Sequence, residues 1–226
     1  MVKYGFSKKI DGDMRDNMRM MKFLNGARPG IKAVVRPRQI HGDHIEFIDA
    51  TAHTNDILQS FGETDGVITR AKNTALAIIT ADCVPAVYSD ETTNMIGASH
   101  QGWKGALARL PQKMIQHFEK LGSSPKNIRV SIGPAINACC YEIHQDRAIM
   151  FRNEFPNTKA INNQGNHFFL NLTRLTYEQL RDAGVPDGNI EHTINCTSCQ
   201  NDTYFSYRRA FDKSNFDEQL SYIVQS

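Results

Sequence analysis

Residues 74–105 read TALAIITADCVPAVYSDETTNMIGASHQGWKG, and this stretch decides the fold class. The continuous apolar run at 74–80 predicts a strand that is buried on both faces. A second apolar run at 95–99 predicts another strand, which ends at His100. Pro85 lacks an N–H to donate, so a strand at 84–88 is expected only at a sheet edge or a bulge.

The pattern on either side of this stretch is that of an α/β protein with a mixed sheet. A helix is predicted to begin near Leu110, because Pro111 suits a first helical turn and apolar residues follow at spacings of three and four. Further strands are predicted at 128–132, 167–172, 190–196, 203–208 and 219–224, and further helices at 144–155 and from a capping Thr173 to Ala183. Strands and helices therefore alternate along much of the chain. We find no repeat and no linker, so we expect one domain over residues 1–226.

Length and composition exclude several classes of protein. The 226 residues are 40% hydrophobic and 22% charged, which is sufficient for a packed core. The net charge of +2 argues against a nucleic-acid binder that relies on bulk charge. The mean hydropathy is -0.45, and no apolar run approaches the roughly 20 residues of a membrane span. The charged N-terminal residues do not form a signal peptide, so we expect a cytosolic protein.

Several common functional motifs are missing from the sequence. There is no G-x-G-x-x-G after a strand and no G-x-x-x-x-G-K-[ST], so neither a dinucleotide site nor a P-loop is predicted. There is also no G-x-S-x-G nucleophile elbow.

Cys83 and His100 each follow an apolar strand, and they are the main candidates for chemistry. Ligands bind α/β sheets at the carboxyl ends of strands, so the thiol and the imidazole can meet at one rim. His41, at another strand-to-loop junction, is a third candidate. One Cys and two His would leave one position open on a tetrahedral Zn²⁺, as catalytic zinc sites require. Two other interpretations remain: a metal-free nucleophile–base pair of Cys83 and His100, or a buried Cys with two surface His.

Basic residues near these positions suggest an anion site. Lys104 lies in a glycine-flanked turn, where backbone N–H groups can converge on an anion. Two basic pairs, Arg36 with Arg38 and Arg208 with Arg209, can form a phosphate clamp or can be solvated surface charge. We expect at most one member of each pair to reach the site, and we favour Arg38 and Arg209.

The other four cysteines give weak signals. The count of five, with no export signal, argues against a disulfide framework. Cys196 and Cys199 form a lone C-x-x-C with no second pair, and we interpret them as two ordinary thiols. The adjacent Cys139 and Cys140 are predicted to be packing residues.

An ordered set of segments closely resembles the YfiH family, which is also called the laccase-domain or multicopper polyphenol oxidase family. The resemblance runs from about Gln39 to Arg209. Its segments are Gln39-Ile40-His41-Gly42, Thr80-Ala81-Asp82-Cys83-Val84-Pro85, Ser99-His100-Gln101-Gly102-Trp103-Lys104-Gly105, Ile132-Gly133-Pro134-Ala135-Ile136, Cys140-Tyr141-Glu142, Cys196-Thr197 and Phe205-Ser206-Tyr207-Arg208-Arg209.

The resemblance implies a layered α/β/β/α fold with mixed sheets, similar to that of cytotoxic-necrotizing-factor deamidases. It implies one zinc ion held by His41, Cys83 and His100. It also implies phosphorolysis of adenosine, inosine, guanosine and methylthioadenosine, and deamination of adenosine. We therefore expect purine nucleosides and phosphate as partners. We expect no nucleic acid and no membrane among the partners, and a monomer or homodimer. The residues expected to bind substrate and phosphate are Arg36, Arg38, Gln39, Lys104, Tyr207, Arg208 and Arg209.

Asp82, beside Cys83, is our candidate for moving a proton to the leaving ammonia in deamination. The alternative is that its carboxylate hydrogen-bonds its own loop. The H-x-E…P-C-x-x-C signature of zinc nucleobase deaminases is absent, so the site would be a convergent solution.

The sequence departs from the family pattern in three places. The N-terminal Gly-rich loop is shortened to residues 5–12, the usual His-Ala-Gly-Trp-Arg-Gly reads His-Gln-Gly-Trp-Lys-Gly at 100–105, and the expected Gly-Arg before the last strand is Asp217-Glu218. The last change reverses a charge, which puts substrate preference in question.

Two further activities belong to other classes of enzyme. The family's older label is a copper-dependent laccase, but eight scattered histidines without an H-x-H pair do not suit a multicopper centre. Imidazole and thiolate do suit Cu²⁺, so copper binding with weak oxidase activity is one alternative. A Cys–His hydrolase or deamidase is the other.

Overall fold

The structure is a computed structural model that describes residues 1–48 and 58–226, with the backbone alone for 58–61. The strands are β1 (Val2–Phe6), β2 (Ala33–Arg38), β3 (Ile45–Ile48), β4 (Leu58–Glu63), β5 (Gly66–Thr69), β6 (Thr74–Thr80), β7 (Val84–Asp90), β8 (Met95–Gln101), β9 (Arg129–Ile132), β10 (Glu142–Ile143), β11 (Ile161–Gln164), β12 (His167–Leu170), β13 (Ile190–His192) and β14 (Gln219–Gln225). The α-helices are α1 (Asn17–Ala27), α2 (Trp103–Leu107), α3 (Leu110–Lys120), α4 (Gln145–Glu154) and α5 (Leu172–Asp182).

The strands form two large mixed sheets and one small sheet. The first sheet has the order β1-β14-β6-β2-β4, and the second has the order β13-β9-β7-β8-β5-β3. Each combines parallel pairs, such as β2 with β6 and β3 with β5, with antiparallel pairs, such as β14 with β6 and β7 with β8. The small antiparallel sheet has the order β10-β12-β11. The predicted α/β class with mixed sheets is confirmed.

The two large sheets pack face to face, with helices on both outer sides. Alternation along β6 shows why: Leu76 and Ile78 pack against the second sheet, whereas Ala75 and Ala77 pack beneath α1. On the far side, Phe118 and its neighbours on α3 cover the second sheet, together with residues of α5. A β6 residue therefore has protein on both faces, which explains its continuous apolar sequence.

The chain crosses repeatedly from the first sheet to the second at one end of the sandwich. The crossings follow β2, β4 and β6, and they carry His41, Asp65 and Cys83 respectively. His100 reaches the same end near the end of β8. The topology thereby brings together residues that lie 17 to 59 positions apart in the sequence.

Several local predictions were wrong. β7 is an interior strand between β9 and β8, although it contains Pro85. Pro85 is tolerated because pairing with β9 begins at Ala86, so the ladder needs no N–H from the proline. Residues 203–208 form turns instead of a strand, and the strand predicted at 190–196 is limited to Ile190–His192.

The helices at 103–120 and 172–182 also differ from expectation at their starts. Lys104 lies within the short helix α2 and not in an open turn. Helix α3 begins at Leu110, as predicted, because Arg109 takes a left-handed conformation with φ 63°. Helix α5 is capped by the Asn171 side chain, which accepts the N–H of Arg174, and not by Thr173. No helix in the described part of the chain has the length and apolar character to span a membrane.

Candidate active site and metal centre

His41, Cys83 and His100 converge at the end of the sandwich where the chain crosses between sheets. One nitrogen or sulfur atom from each lies within 4.8 Å of the others. The two imidazole rings meet edge to face, with centroids 4.7 Å apart. His100 is buried, Cys83 is partly buried and His41 is exposed, so the set opens on the side of His41.

A buried carboxylate, Asp65, shapes the loop that carries His41. Its Oδ1 accepts the backbone N–H of His41 at 3.0 Å, and its Oδ2 accepts those of Ile40 at 3.2 Å and Gly42 at 2.6 Å. These three hydrogen bonds hold His41 at φ 62°, a conformation that non-glycine residues adopt only when the surroundings impose it.

The same Asp65 orients His100. Gly66 pairs with Ser99 across β5 and β8, which places Asp65 beside His100. Oδ1 of Asp65 lies 2.7 Å from Nδ1 of His100, and both side chains are almost completely buried. With Nδ1 held by the carboxylate, Nε2 of His100 is the nitrogen left for a metal ion or a proton.

Gly102 allows the loop after β8 to pass close to His41 and Cys83. A Cβ atom at this position would lie 2.6 Å from Cδ2 of His41 and 3.4 Å from Sγ of Cys83. Only a residue without a side chain fits there while the His41 ring keeps its place.

The histidines change the acidity of Cys83. Burial opposes ionisation of the Cys83 thiol, but the charges and hydrogen bonds of His100 and His41 outweigh it and lower the pKa of Cys83 to about 7. Burial likewise opposes protonation of His100, but Cys83 and Asp65 outweigh it and raise the pKa of His100. The site therefore favours a thiolate, the form of cysteine that binds metals.

A cavity of about 850 Å³ opens onto these three residues. It has room for a nucleoside-sized molecule, since ligand sites typically measure about 300–1,000 Å³. The lining combines aromatic rings, arginines and two acidic side chains. Besides His41, Cys83 and His100 it includes Trp103, Tyr141, Tyr207, Phe216, Arg15, Arg36, Arg38, Arg147, Arg208, Gln39, Asp82 and Glu218.

Comparison with known proteins decides the family. A family model described as "Multi-copper polyphenol oxidoreductase laccase" matches residues 11–225. The chain belongs to this laccase family. The resemblance to the YfiH family is thus confirmed.

Other members of the laccase family are similar along most of this chain. "Adenosine deaminase RL5", from an unknown prokaryotic organism, is 29% identical over 182 residues, which cover 78% of this chain and 70% of that protein. "Purine nucleoside phosphorylase YlmD" of Bacillus subtilis (strain 168) is 32% identical over 164 residues, which cover 71% of this chain and 58% of that protein. The crystal structure of the Bacillus licheniformis hypothetical protein YfiH superposes with a TM-score of 0.87 at 28% identity, and the match covers 100% of this chain and 93% of that one.

Three of the arginines predicted to bind phosphate in this laccase-family protein line the cavity. Arg36 and Arg38 are two residues apart on β2 and so share a face, which is why both reach the cavity and not one alone. Arg208 also lines it, and its Nη1 donates to the backbone oxygen of Cys140 at 2.9 Å. Tyr207, predicted to bind substrate, packs edge to face on Phe216 with centroids 5.0 Å apart.

Two predicted anion-binding residues do not line the cavity. Arg209 turns away because residues 203–208 are not a strand, and its Nε donates to the backbone oxygen and hydroxyl of Ser198, each at 3.2 Å. Nζ of Lys104 lies 5.8 Å from the centroid of the Trp103 ring.

Gln39 lines the cavity, but its amide completes the sheet. Its Nε2 donates to the backbone oxygen of Ile79 at 2.7 Å, and its Oε1 accepts the N–H of Ile79 at 2.9 Å. These two bonds extend the pairing of β2 with β6 beyond the end of β2. The side chain therefore positions the loop that leads to His41.

Asp82 holds two other loops against the site instead of bonding within its own. Its Oδ1 accepts the hydroxyl of Thr197 at 2.6 Å, and its Oδ2 accepts the hydroxyl of Ser206 at 3.0 Å and the backbone N–H of Arg208 at 2.6 Å. Asp82 itself has φ 87°, so the turn before Cys83 is strained and these contacts help to maintain it.

Several residues that surround the site were not predicted from the sequence. Asp65 gave one weak signal, a carboxylate directly before a buried strand, and no spacing connects it with His41 or His100. Glu218 was noted only as a departure from the family pattern, yet it lines the cavity. Burial raises the pKa of the Glu218 carboxyl, although the charge of His100 acts to lower it. Arg147 lies with its guanidinium 4.2 Å from the centroid of the Trp103 ring.

The prediction that Cys139 and Cys140 are packing residues was wrong, because Cys139 is exposed and Cys140 is only partly buried. Cys139, Cys140, Cys196 and Cys199 are brought together, with their sulfur atoms within 4.8 Å of one another. The sequence concealed this because the two pairs are separated by more than 50 residues that form β10 to β13.

Proposed function

We propose that this protein is a zinc-dependent purine nucleoside enzyme that cleaves nucleosides with phosphate and deaminates adenosine. One observation carries the proposal: three convergent N and S ligand atoms face a cavity lined with aromatic rings and arginines. The names of two relatives, an adenosine deaminase and a purine nucleoside phosphorylase, support it. Adenosine, inosine, guanosine and methylthioadenosine are the substrates proposed.

The donor set suits zinc. Two imidazoles and one thiolate are typical ligands of a catalytic Zn²⁺ that keeps a position open, and the open side of this set faces the cavity. Asp65 provides the carboxylate that usually supports a metal-bound histidine. A bound zinc ion supplies Lewis-acid chemistry, which lowers the pKa of a water molecule to near neutrality. His41, Cys83 and His100 are the proposed ligands.

The aromatic rings are proposed to bind the purine. Trp103 and Tyr141 line the cavity, and so does the edge-to-face pair of Tyr207 and Phe216. A purine is flat and largely apolar, so it gains from packing between such rings, and the nearby arginines can contact its polar edge.

The arginines of the cavity are proposed to hold phosphate. In phosphorolysis, a phosphate oxygen attacks C1′ of the ribose while positive charge develops there. Arg36, Arg38 and Arg208 can offer paired N–H groups to the remaining phosphate oxygens, which fixes the anion in an orientation for attack.

Glu218 is proposed to move the proton in deamination. Both carboxylate oxygens of Asp82 already accept hydrogen bonds from Thr197, Ser206 and Arg208, so Asp82 is assigned a positioning role. Glu218 faces the cavity, and the described residues offer its carboxylate no hydrogen-bond donor. It is therefore available to deliver a proton to the departing amino group of adenosine.

Product analysis tests the proposal. Zinc-loaded protein is incubated with adenosine, with and without phosphate, and the products are separated by chromatography. We expect adenine and ribose 1-phosphate when phosphate is present, and inosine in both samples. Release of adenine without phosphate would indicate a hydrolase, and the absence of both adenine and inosine would overturn the proposal.

A metal-free thiol hydrolase or deamidase is the second candidate, because Cys83 and His100 favour a thiolate–imidazolium pair. Metal analysis of freshly purified protein separates it from the first, since a thiol enzyme needs no metal. Several coppers per chain would instead indicate the oxidase that the family description names.

A further inference from the structure

We propose that Cys139, Cys140, Cys196 and Cys199 form a second metal site, which takes a structural Zn²⁺ on four thiolates. The site is separate from His41, Cys83 and His100, and it does not depend on the proposed function. Among the described residues, these are the two groups of His, Cys, Asp and Glu whose ligand atoms come close enough to share an ion.

The distances between the sulfur atoms suit a zinc tetrahedron. Sγ of Cys199 lies 3.2 Å from Sγ of Cys139 and 3.3 Å from Sγ of Cys140, and all four sulfurs lie within 4.8 Å of one another. Zn–S bonds of about 2.3 Å place the sulfurs of a tetrahedral site about 3.8 Å apart. To reach that spacing, the two short contacts would lengthen by about 0.5 to 0.6 Å and the longest distances would shorten by up to about 1 Å. All four cysteines are free thiols.

Backbone hydrogen bonds hold the two cysteine loops together without any metal. Cys196 forms a parallel bridge with Ala135, and the N–H of Thr197 donates to the oxygen of Ala135 at 3.1 Å. The N–H of Cys140 donates to the oxygen of Asn137 at 2.9 Å. The four ligands are therefore largely positioned by the fold before a metal binds.

One sulfur already accepts a backbone hydrogen bond. The N–H of Asn137 points at Sγ of Cys196 with an N–S distance of 3.4 Å. Such outer contacts orient ligands and favour the thiolate, so they support a metal site over a chance meeting of thiols.

Solvent access and charge also suit an ion here. Cys139 and Cys199 are exposed, so a metal can enter from solution. Four thiolates and one Zn²⁺ carry a net negative charge, and Arg208 and Arg209 lie beside the cluster, around a surface depression of about 360 Å³.

The site is connected to the catalytic cavity. Thr197 lies between two of the cysteines and donates to Asp82, and Asp82 also holds the backbone of Arg208. Arg208 in turn donates to the oxygen of Cys140. A metal on the four thiolates would fix this wall of the cavity, which is a structural role and not a catalytic one.

Zinc stoichiometry tests the proposal in variants that each lack one of the two metal sites. The variants are Cys83→Ser, which disables the cavity site, and the double variant Cys139→Ser/Cys199→Ser, which changes two exposed residues and avoids the buried Cys196. Each reduced protein is loaded with zinc, freed of excess metal and analysed for zinc per chain. We expect two ions in the parent protein, one in Cys83→Ser and one fewer in the double variant than in the parent.

Cobalt provides a second readout that does not depend on activity. Co²⁺ bound to four thiolates gives intense sulfur-to-metal charge-transfer absorption. We expect this absorption in Cys83→Ser, which lacks the cavity thiolate, and its loss when Cys139→Ser and Cys199→Ser are added to Cys83→Ser. If the double variant binds as much zinc as the parent, the proposal is overturned, and a Cys139–Cys199 disulfide that persists in reductant would also overturn it. Loss of the cavity zinc alone would count against the proposed function and leave this site standing.

Discussion

Oδ1 of Asp65 lies 2.7 Å from Nδ1 of His100, and the same carboxylate accepts the backbone N–H of His41 at 3.0 Å. A single buried side chain thus orients two of the three candidate metal ligands, which come from different sheets. The relationship explains how a metal site can form between the loop of His41 and the end of strand β8, which do not pair with each other.

Asp65→Asn is expected to weaken zinc binding at the cavity site by about 10- to 100-fold. An amide cannot accept from His100 and from three backbone N–H groups at once, so the His41 loop loses its support. The measurement is zinc affinity by competition with a chelator. Glu46→Gln, which removes an exposed carboxylate near His44, is the matched control and should bind zinc as the parent does.

Gly102→Ala is expected to displace His41 and to lower zinc affinity at least about 10-fold, since loss of an outer contact alone has that effect. The added Cβ would lie 2.6 Å from the His41 ring, closer than real contacts allow. The control is Gly26→Ala in α1, where a Cβ meets nothing within 4 Å and should raise the unfolding free energy by up to about 1 kcal/mol. Unchanged zinc affinity in Gly102→Ala would mean that the metal does not depend on His41.

Glu218→Gln is expected to lower kcat for adenosine deamination by about 10²- to 10⁴-fold without loss of zinc. The amide keeps the shape of the side chain but cannot carry the proton. Asp82→Asn should behave differently: it loosens the loops of Thr197 and Arg208 and lowers thermal stability as well as activity. If Glu218→Gln retains full deamination, the proton moves by another route.

Alanine at Arg36, Arg38 or Arg208 is expected to raise the KM for phosphate by about 10- to 100-fold, because each guanidinium lost leaves a phosphate oxygen unpaired. Lys104→Ala is the control, since Lys104 does not line the cavity. Steady-state cleavage of adenosine at varied phosphate measures the effect. A phosphate KM that rises in the control alone would place the anion near α2.

We expect Asp90 to make the free energy of unfolding depend on pH. It accepts the Ser123 hydroxyl at 2.6 Å and the Thr92 N–H at 2.8 Å. Burial opposes ionisation, but these donors outweigh it and hold the pKa of Asp90 below its ordinary value. A lowered folded-state pKa contributes stability above the unfolded pKa of about 3.9, and that contribution is lost as pH falls through the folded pKa.

Asp90→Asn is therefore expected to reduce the unfolding free energy by about 1–3 kcal/mol at pH 7, and the difference from the parent should shrink as the pH falls below about 4. Chemical denaturation at a series of pH values measures both effects. The exposed Glu91→Gln is the control and should follow the parent at every pH. A difference that is constant with pH would show that the Asp90 charge is not the cause.

Those parts of the fold and the site that depend on a local sequence pattern could be predicted. The apolar run at 74–80 indicated a buried strand, and the motifs around His41, Cys83 and His100 indicated three ligands. Arg209 and Lys104 do not lie where the sequence predicted, because the structure has turns at 203–208 in place of a strand and a helix at 103–107 in place of an open turn. Backbone direction decides where a side chain points, and short polar segments do not specify it.

The sequence by itself determined the α/β class, the apolar strands and the three candidate ligand side chains, because apolar periodicity and residue chemistry are local properties. The tertiary structure alone decided the role of Asp65, the place of Glu218 in the cavity and the meeting of four cysteines from two distant loops. These contacts arise where the chain crosses between packed sheets and where two loops more than 50 residues apart in the sequence form a bridge. Their residues become neighbours only when burial of the two sheets fixes how those loops lie, so no spacing in the sequence records them.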